Sequence, residues 1–88
     1  GCYTDSIGDR ALAGTYYFDE ELTVQKCATF CADYTFLGTE YGGECYCGDT
    51  LGGSGTGGQE ALEADCSMTC KGNSGQKCGA GYRVSVYE

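Results

Sequence analysis

The 88-residue sequence contains no histidine and no tryptophan, and its five Lys and Arg stand against thirteen Asp and Glu, for a net charge of -8. The shortage of positive charge works against phosphate backbones and anionic lipid headgroups, which need clustered Lys and Arg. Nucleic acid and direct membrane binding are therefore excluded as partners. No apolar run approaches the length of a spanning helix, and no charged-then-apolar leader opens the chain, which reads as a mature or excised piece. Structural zinc sites use C-x-x-C pairs or cysteine mixed with histidine, and the chain has neither, so no metal and no cofactor are expected.

What the chain has in quantity is cysteine. Eight cysteines in 88 residues is an even count at high density, the signature of a disulfide framework of four bonds. A chain of this length buries too little surface to stabilise itself as larger domains do, so covalent staples are expected. Disulfides persist in oxidising compartments, which places the protein outside the cell or on its surface.

Local signals sketch a small disulfide-rich α+β unit occupying residues 1–88. Tyr3 and Thr4 in the opening GCYTD suggest a short strand, and Ser6 to Asp9 a turn. Tyr16, Tyr17 and Phe18 are consecutive aromatics that cannot all face one core, so at least one is expected to be exposed. The main helix is predicted from Thr23 to about Tyr34. Thr23 can cap it, and Val24, Cys27, Ala28, Cys31 and Tyr34 recur on one face. Phe36 to Tyr41 and Glu44 to Cys47 read as two strands joined at Gly42 and Gly43, with Phe36 or Leu37 supplying core. Leu51 to Gly58 is glycine-rich and reads as a mobile surface loop. Glu60 to Cys70 is expected to hold a short helix or helical turn. YRVSVY at the end alternates Tyr82, Val84 and Val86 with Arg83, Ser85 and Tyr87, predicting a strand that pairs with the N-terminal one.

The cysteine spacing carries geometry. Cys27 and Cys31 lie four apart on a predicted helix and project from one face about 6 Å apart. Cys45 and Cys47, two apart on a predicted strand, share a face at about 6.5 Å. The match lets a helix lie on a strand and close two side-by-side bonds, Cys27 to Cys45 and Cys31 to Cys47, or the crossed pair. Cys2, Cys66, Cys70 and Cys78 remain, and spacing alone leaves all three of their pairings open.

The ordered motifs GCYTD, RAL, LTVQKCATFC, GTEYGGECYCGDTL, ADCSMTCKGNSGQKCG and YRVSVY resemble the WSC domain. The resemblance runs from Gly1 to Tyr87 and includes all eight cysteines. It implies the pairings Cys2–Cys66, Cys27–Cys45, Cys31–Cys47 and Cys70–Cys78, and a compact fold of antiparallel strands, one main helix and a short second helix, similar to PAN or apple domains. The family often has Asn where Asp49 stands. WSC domains occur in fungal cell-wall sensors, appended to secreted fungal oxidases and glycan-active enzymes, and in animal proteins such as Kremen and polycystin. The implied activity is non-catalytic binding of cell-wall polysaccharide, β-1,3-glucan, xylan or a chitin-type polymer. A protein-interaction or self-association role in a cell-surface sensor is the alternative.

Sugar rings present C–H faces that stack on aromatic side chains, and their hydroxyls need nearby donors and acceptors. With no tryptophan and eight tyrosines, single-site affinity is expected to be weak and to gain from multiple contacts. The candidate platform combines Tyr16, Tyr17 and Phe18 with Tyr34, Tyr41 and Tyr46, and Arg10, Asp19, Glu40 and Glu44 as hydroxyl partners. Tyr3, Tyr82 and Tyr87 are expected to be half-buried structural rings. Asp19, Glu20, Glu21, Glu40 and Glu44 could supply the paired carboxylates of a glycosidase, but so short a chain leaves little room for a cleft, so no enzyme is expected. A calcium site at Gly48 to Thr50 does not fit the EF-hand spacing.

Overall fold

The computed structural model describes residues 1–52 and 57–88. Its frame is a five-stranded antiparallel sheet ordered β1-β7-β3-β4-β2, built from β1 (Cys2–Thr4), β2 (Thr15–Phe18), β3 (Phe36–Glu40), β4 (Glu44–Gly48) and β7 (Arg83–Tyr87). A two-stranded ribbon of β5 (Thr69–Cys70) and β6 (Asn73–Lys77) stands apart. The expected partnership of the chain ends is present, with Tyr3 opposite Val84 and Cys2 opposite Ser85.

Strand alternation divides the sheet into two faces. Cys45 and Cys47 point to one, together with Leu37 and Thr39, which pair with them across β3. The helix α1 (Val24–Phe30) covers this face. Among the buried members of the cluster beneath it, Leu22 is joined only by half-cystines: Cys27, Cys31, Cys45, Cys47, Cys70 and Cys78. Tyr46, Gly38, Val84 and Val86 point the other way, where Ala11 and Leu12 fold over them. A Cβ on Gly38 would stand 2.7 Å from Val84 Cγ2 and 2.9 Å from Leu12 Cδ1, so glycine is what lets that segment lie on the sheet.

All four disulfides form, joining Cys2–Cys66, Cys27–Cys45, Cys31–Cys47 and Cys70–Cys78. The helix-to-strand pair is uncrossed, with Cα separations of 5.5 and 5.3 Å, and sulfurs of the two bonds approach to 3.7 Å. This contact explains why the sulfurs of Cys27, Cys31 and Cys45 cluster; bonded to carbon and sulfur, they offer no thiolate to a metal.

The helix begins as expected and ends a turn early. The Thr23 hydroxyl accepts from the Lys26 N–H at 3.1 Å, and Thr23→Ala should cost about 1 kcal/mol of stability, read as a lowered thermal midpoint. After Phe30 the bonds tighten to three-residue spans, Ala32 N–H to Thr29 O and Tyr34 N–H to Cys31 O, and the chain turns into β3. The second helical element is a single 3₁₀ turn over Glu63–Asp65, and Thr69–Cys70 belongs to the ribbon instead.

The β3–β4 turn includes Tyr41 as well as the two glycines. Tyr41 has φ 52° and Gly42 φ 81°, and the Cys70–Cys78 ribbon pins them, with Gly42 N–H donating to Cys78 O and Lys71 N–H donating to Gly42 O. Residues 53–56 of the expected glycine-rich loop lie outside the described residues. Its described flanks are anchored: Gly52 N–H donates to Ala11 O, Gly58 N–H to Thr4 O, and Leu51 packs under the second face.

Candidate functional site

The consecutive aromatics of β2 divide by strand parity. Tyr17 pairs with Cys45 and lies half-buried on the helix face, its ring centroid 4.4 Å from that of Phe30. Tyr16 pairs with Tyr46 and Phe18 with Glu44, so both point to the opposite face, where they are 71% and 53% exposed.

Tyr46 is the floor of this surface and is only 6% exposed. Tyr16 stacks against it at 5.7 Å between centroids, and the Arg10 guanidinium sits 4.8 Å from its centre. The Tyr46 hydroxyl donates to Glu44 Oε1 at 2.8 Å. Burial and the Glu44 carboxylate both push the Tyr46 phenol well above its ordinary range, so it keeps its proton. Arg10, Leu12, Tyr16 and Tyr46 line a groove of about 510 Å³.

Arg10 is held by acid beneath it. Its Nη1 donates to Asp5 Oδ2 at 2.6 Å and lies 3.9 Å from Glu40 Oε2. Burial works against the Asp5 charge, but hydrogen bonds from Glu40, the Ala11 N–H and Arg10 outweigh it and hold the carboxyl below its usual range. Glu40 takes the opposite state. Burial, the hydrogen bond to Asp5 and the Asp5 charge push it up to about 10, so it is a neutral acid at physiological pH. One negative and one positive charge therefore lie under the surface, with a proton between the two carboxyls.

The residues expected to form one platform separate accordingly. Arg10, Tyr16, Phe18, Tyr41, Glu44 and Tyr46 share a face, with Glu40 buried beneath it. Tyr17 and Tyr34 pack against the cystine core on the other face. Asp19 serves its own turn, accepting from the Glu21 N–H at 2.8 Å, with Lys26 Nζ 3.6 Å away. Tyr82, expected to be half-buried, is 61% exposed because it precedes β7 in a left-handed turn at φ 57°. Ile7 at the tip of the Ser6–Asp9 turn is 75% exposed and joins the same face. Nothing in the sequence marks Ile7, since a lone apolar residue in a turn has no periodic neighbours.

A family model described as the WSC domain matches residues 1–80. The chain belongs to the WSC domain family. Over its full length this WSC domain is 43% identical to a WSC domain-containing protein of Arthroderma benhamiae, of which it covers 12%. It is 45% identical to a putative fungistatic metabolite of Chaetomium globosum, covering 40% of that protein, and 39% identical to human Kremen protein 2, covering 19%. The chain thus spans well under half the length of these relatives.

In this WSC domain Asp49 is a local brace. Its Oδ1 accepts from the Thr35 N–H at 3.0 Å and the Thr35 hydroxyl at 3.3 Å, tying the start of β3 to the end of β4. An Asn side-chain oxygen can accept the same bonds, so Asp49→Asn is expected to keep this brace.

Proposed function

We propose that this WSC domain, residues 1–88, is a non-catalytic carbohydrate-binding module that attaches a larger extracellular or cell-wall protein to neutral polysaccharide of the β-1,3-glucan, xylan or chitin type. One observation carries the reading: Tyr16 is exposed yet oriented by its stack on Tyr46, with the Arg10 guanidinium beside the same ring. An oriented ring is a ready platform for a sugar's C–H face, and Arg10 and Glu44 supply a donor and an acceptor for its hydroxyls. The net charge of -8 disfavours polyanions and leaves neutral glycans as the fitting class.

The carboxyls nearest the groove do not fit the roles of a glycosidase pair: Glu40 is buried and shares its proton with Asp5, and Glu44 Oε1 accepts from the Tyr46 hydroxyl, leaving Oε2 to accept from a sugar. Incubation with each polysaccharide is expected to release no reducing sugar.

The test is pull-down on insoluble β-1,3-glucan, xylan and chitin. Wild type is expected to be retained by at least one polymer, and Tyr16→Ala to weaken retention about five- to ten-fold, since one stacking ring is worth about 1 kcal/mol beyond its buried area. Undiminished retention of the folded variant would refute this surface. The exposed rings on the same face also suit a protein partner or a second copy. A glycan array without hits, together with concentration-dependent self-association, would favour that alternative.

A further inference from the structure

We propose that a second glycan subsite lies between Tyr41 and Tyr82, and that it and the Tyr16–Tyr46 groove hold successive units of one extended neutral polysaccharide chain. The inference rests on the carbohydrate-binding reading above and adds to it the length of ligand the surface takes.

A depression of about 320 Å³ lies beside the first groove, lined by Glu40, Tyr41, Glu44 and Tyr82. Ile7 and Arg10 line both, so the two are contiguous. Tyr41 and Tyr82 are 54% and 61% exposed, and both have left-handed backbones that throw the ring off the sheet. These backbones are held in place. The β5–β6 ribbon pins the turn at Tyr41, while Ala80 and Arg83 exchange N–H to O bonds around Tyr82, whose carbonyl accepts from the Asp5 N–H. The rings are therefore presented, not merely left over at a loose end.

Polar groups accompany the rings. Arg10 and Glu44 line the depression with Tyr41 and Tyr82, and Glu40 lies beneath it with its side chain 5% exposed. A guanidinium and a carboxylate beside the rings offer a donor and an acceptor to sugar hydroxyls.

The span favours a chain over a single sugar. β2 and β7 are separated by β4 and β3, and Tyr16 is in register with Val86, four residues along from Tyr82, so Tyr16 and Tyr82 stand roughly 20 Å apart by strand spacing and rise. Two weak stacking sites joined by one linear ligand gain by effective concentration, which offsets the lack of tryptophan.

Linear β-1,3-gluco- and β-1,4-xylo-oligosaccharides, from disaccharide to hexasaccharide, can be titrated calorimetrically against wild type, Tyr16→Ala and a Tyr41→Gly, Tyr82→Gly double variant. Glycine accepts both left-handed backbones without strain, which protects the fold. For the bound series, wild-type affinity is expected to rise at least ten-fold with length. The double variant should lose that rise, and Tyr16→Ala should weaken binding at every length. A double variant that binds the hexasaccharide as tightly as wild type overturns the second subsite and leaves the first standing. A wild-type protein that binds neither series nor any insoluble polysaccharide overturns both.

Discussion

Reduction of the four disulfides is expected to unfold the protein. The cystines are the core on the helix side: apart from Leu22, the buried residues of that cluster are all half-cystines. The secondary structure they hold is marginal without them. A seven-residue helix is too short to persist alone, and a two-stranded ribbon is at best marginally stable. In the chain-entropy account, the Cys2–Cys66 bond, with sequence separation 64, restricts the denatured chain by about 4 kcal/mol. The Cys70–Cys78 bond, with separation 8, restricts it by about 2.5 kcal/mol. These terms do not simply add, but each is a large part of the net stability of a small protein. Far-UV circular dichroism should show the cooperative thermal transition with the bonds intact and lose it in reductant. An unchanged midpoint after complete reduction would sink the claim. Replacing Cys70 and Cys78 together by Ser should do less, lowering the midpoint and freeing the ribbon and the Tyr41 turn while the five-stranded sheet persists.

The second large effect is a loss of stability toward alkaline pH that Glu40→Gln abolishes. The Glu40 carboxyl is raised from 4.5 to about 10 by burial, its hydrogen bond to Asp5 and the Asp5 charge. A raised folded-state pKa means that the native state holds a proton the unfolded chain has released. The contribution is therefore full below about pH 4.5 and is lost progressively as pH rises toward 10. The slope is at most about 1.4 kcal/mol per pH unit. Asp5 behaves oppositely, because its folded-state pKa lies below the ordinary 3.8: its contribution is present above that value and is lost as pH falls through the depressed one. Together they place maximum stability in mildly acidic solution. Glutamine keeps a donor for Asp5 and carries no proton to lose, so the variant's midpoint should stay flat across the window and exceed wild type at its alkaline end. Parallel midpoint-against-pH curves for the two proteins would show that Glu40 does not carry the effect.

Much of this architecture is legible in local chemistry. The alternating RVSVY run identifies β7, and the expected pairing of the two chain ends is present. Thr23 caps the helix it introduces, and four-apart cysteines on a helix meet two-apart cysteines on a strand because the two spacings nearly coincide. The ribbon was not legible. Asn73–Lys77 contains no β-branched or aromatic residue and is almost wholly exposed, so nothing in its composition favours a strand. The Cys70–Cys78 bond and the hydrogen bonds to the β3–β4 turn hold it there.

The candidate site shows the same division. Period-two alternation in TYYF requires that Tyr17 part from Tyr16 and Phe18, yet it is silent about which side meets the helix. That is decided by β4, whose cysteines are tied to α1 and which pairs Cys45 with Tyr17. Tyr46 and Tyr16 are thereby turned to the face that Arg10 reaches from its own loop.

By itself the sequence determined the covalent framework's size, the acidic charge and the stock of tyrosines, because these are properties of composition and spacing that no packing can alter. Only the tertiary structure decided which tyrosines are exposed on the groove face and which pack in the core, that Glu40 is buried beside Asp5, and that Ile7 and Tyr82 join that face. Each of those depends on what lies across a strand or over a loop, and such neighbours come from residues far apart in the chain.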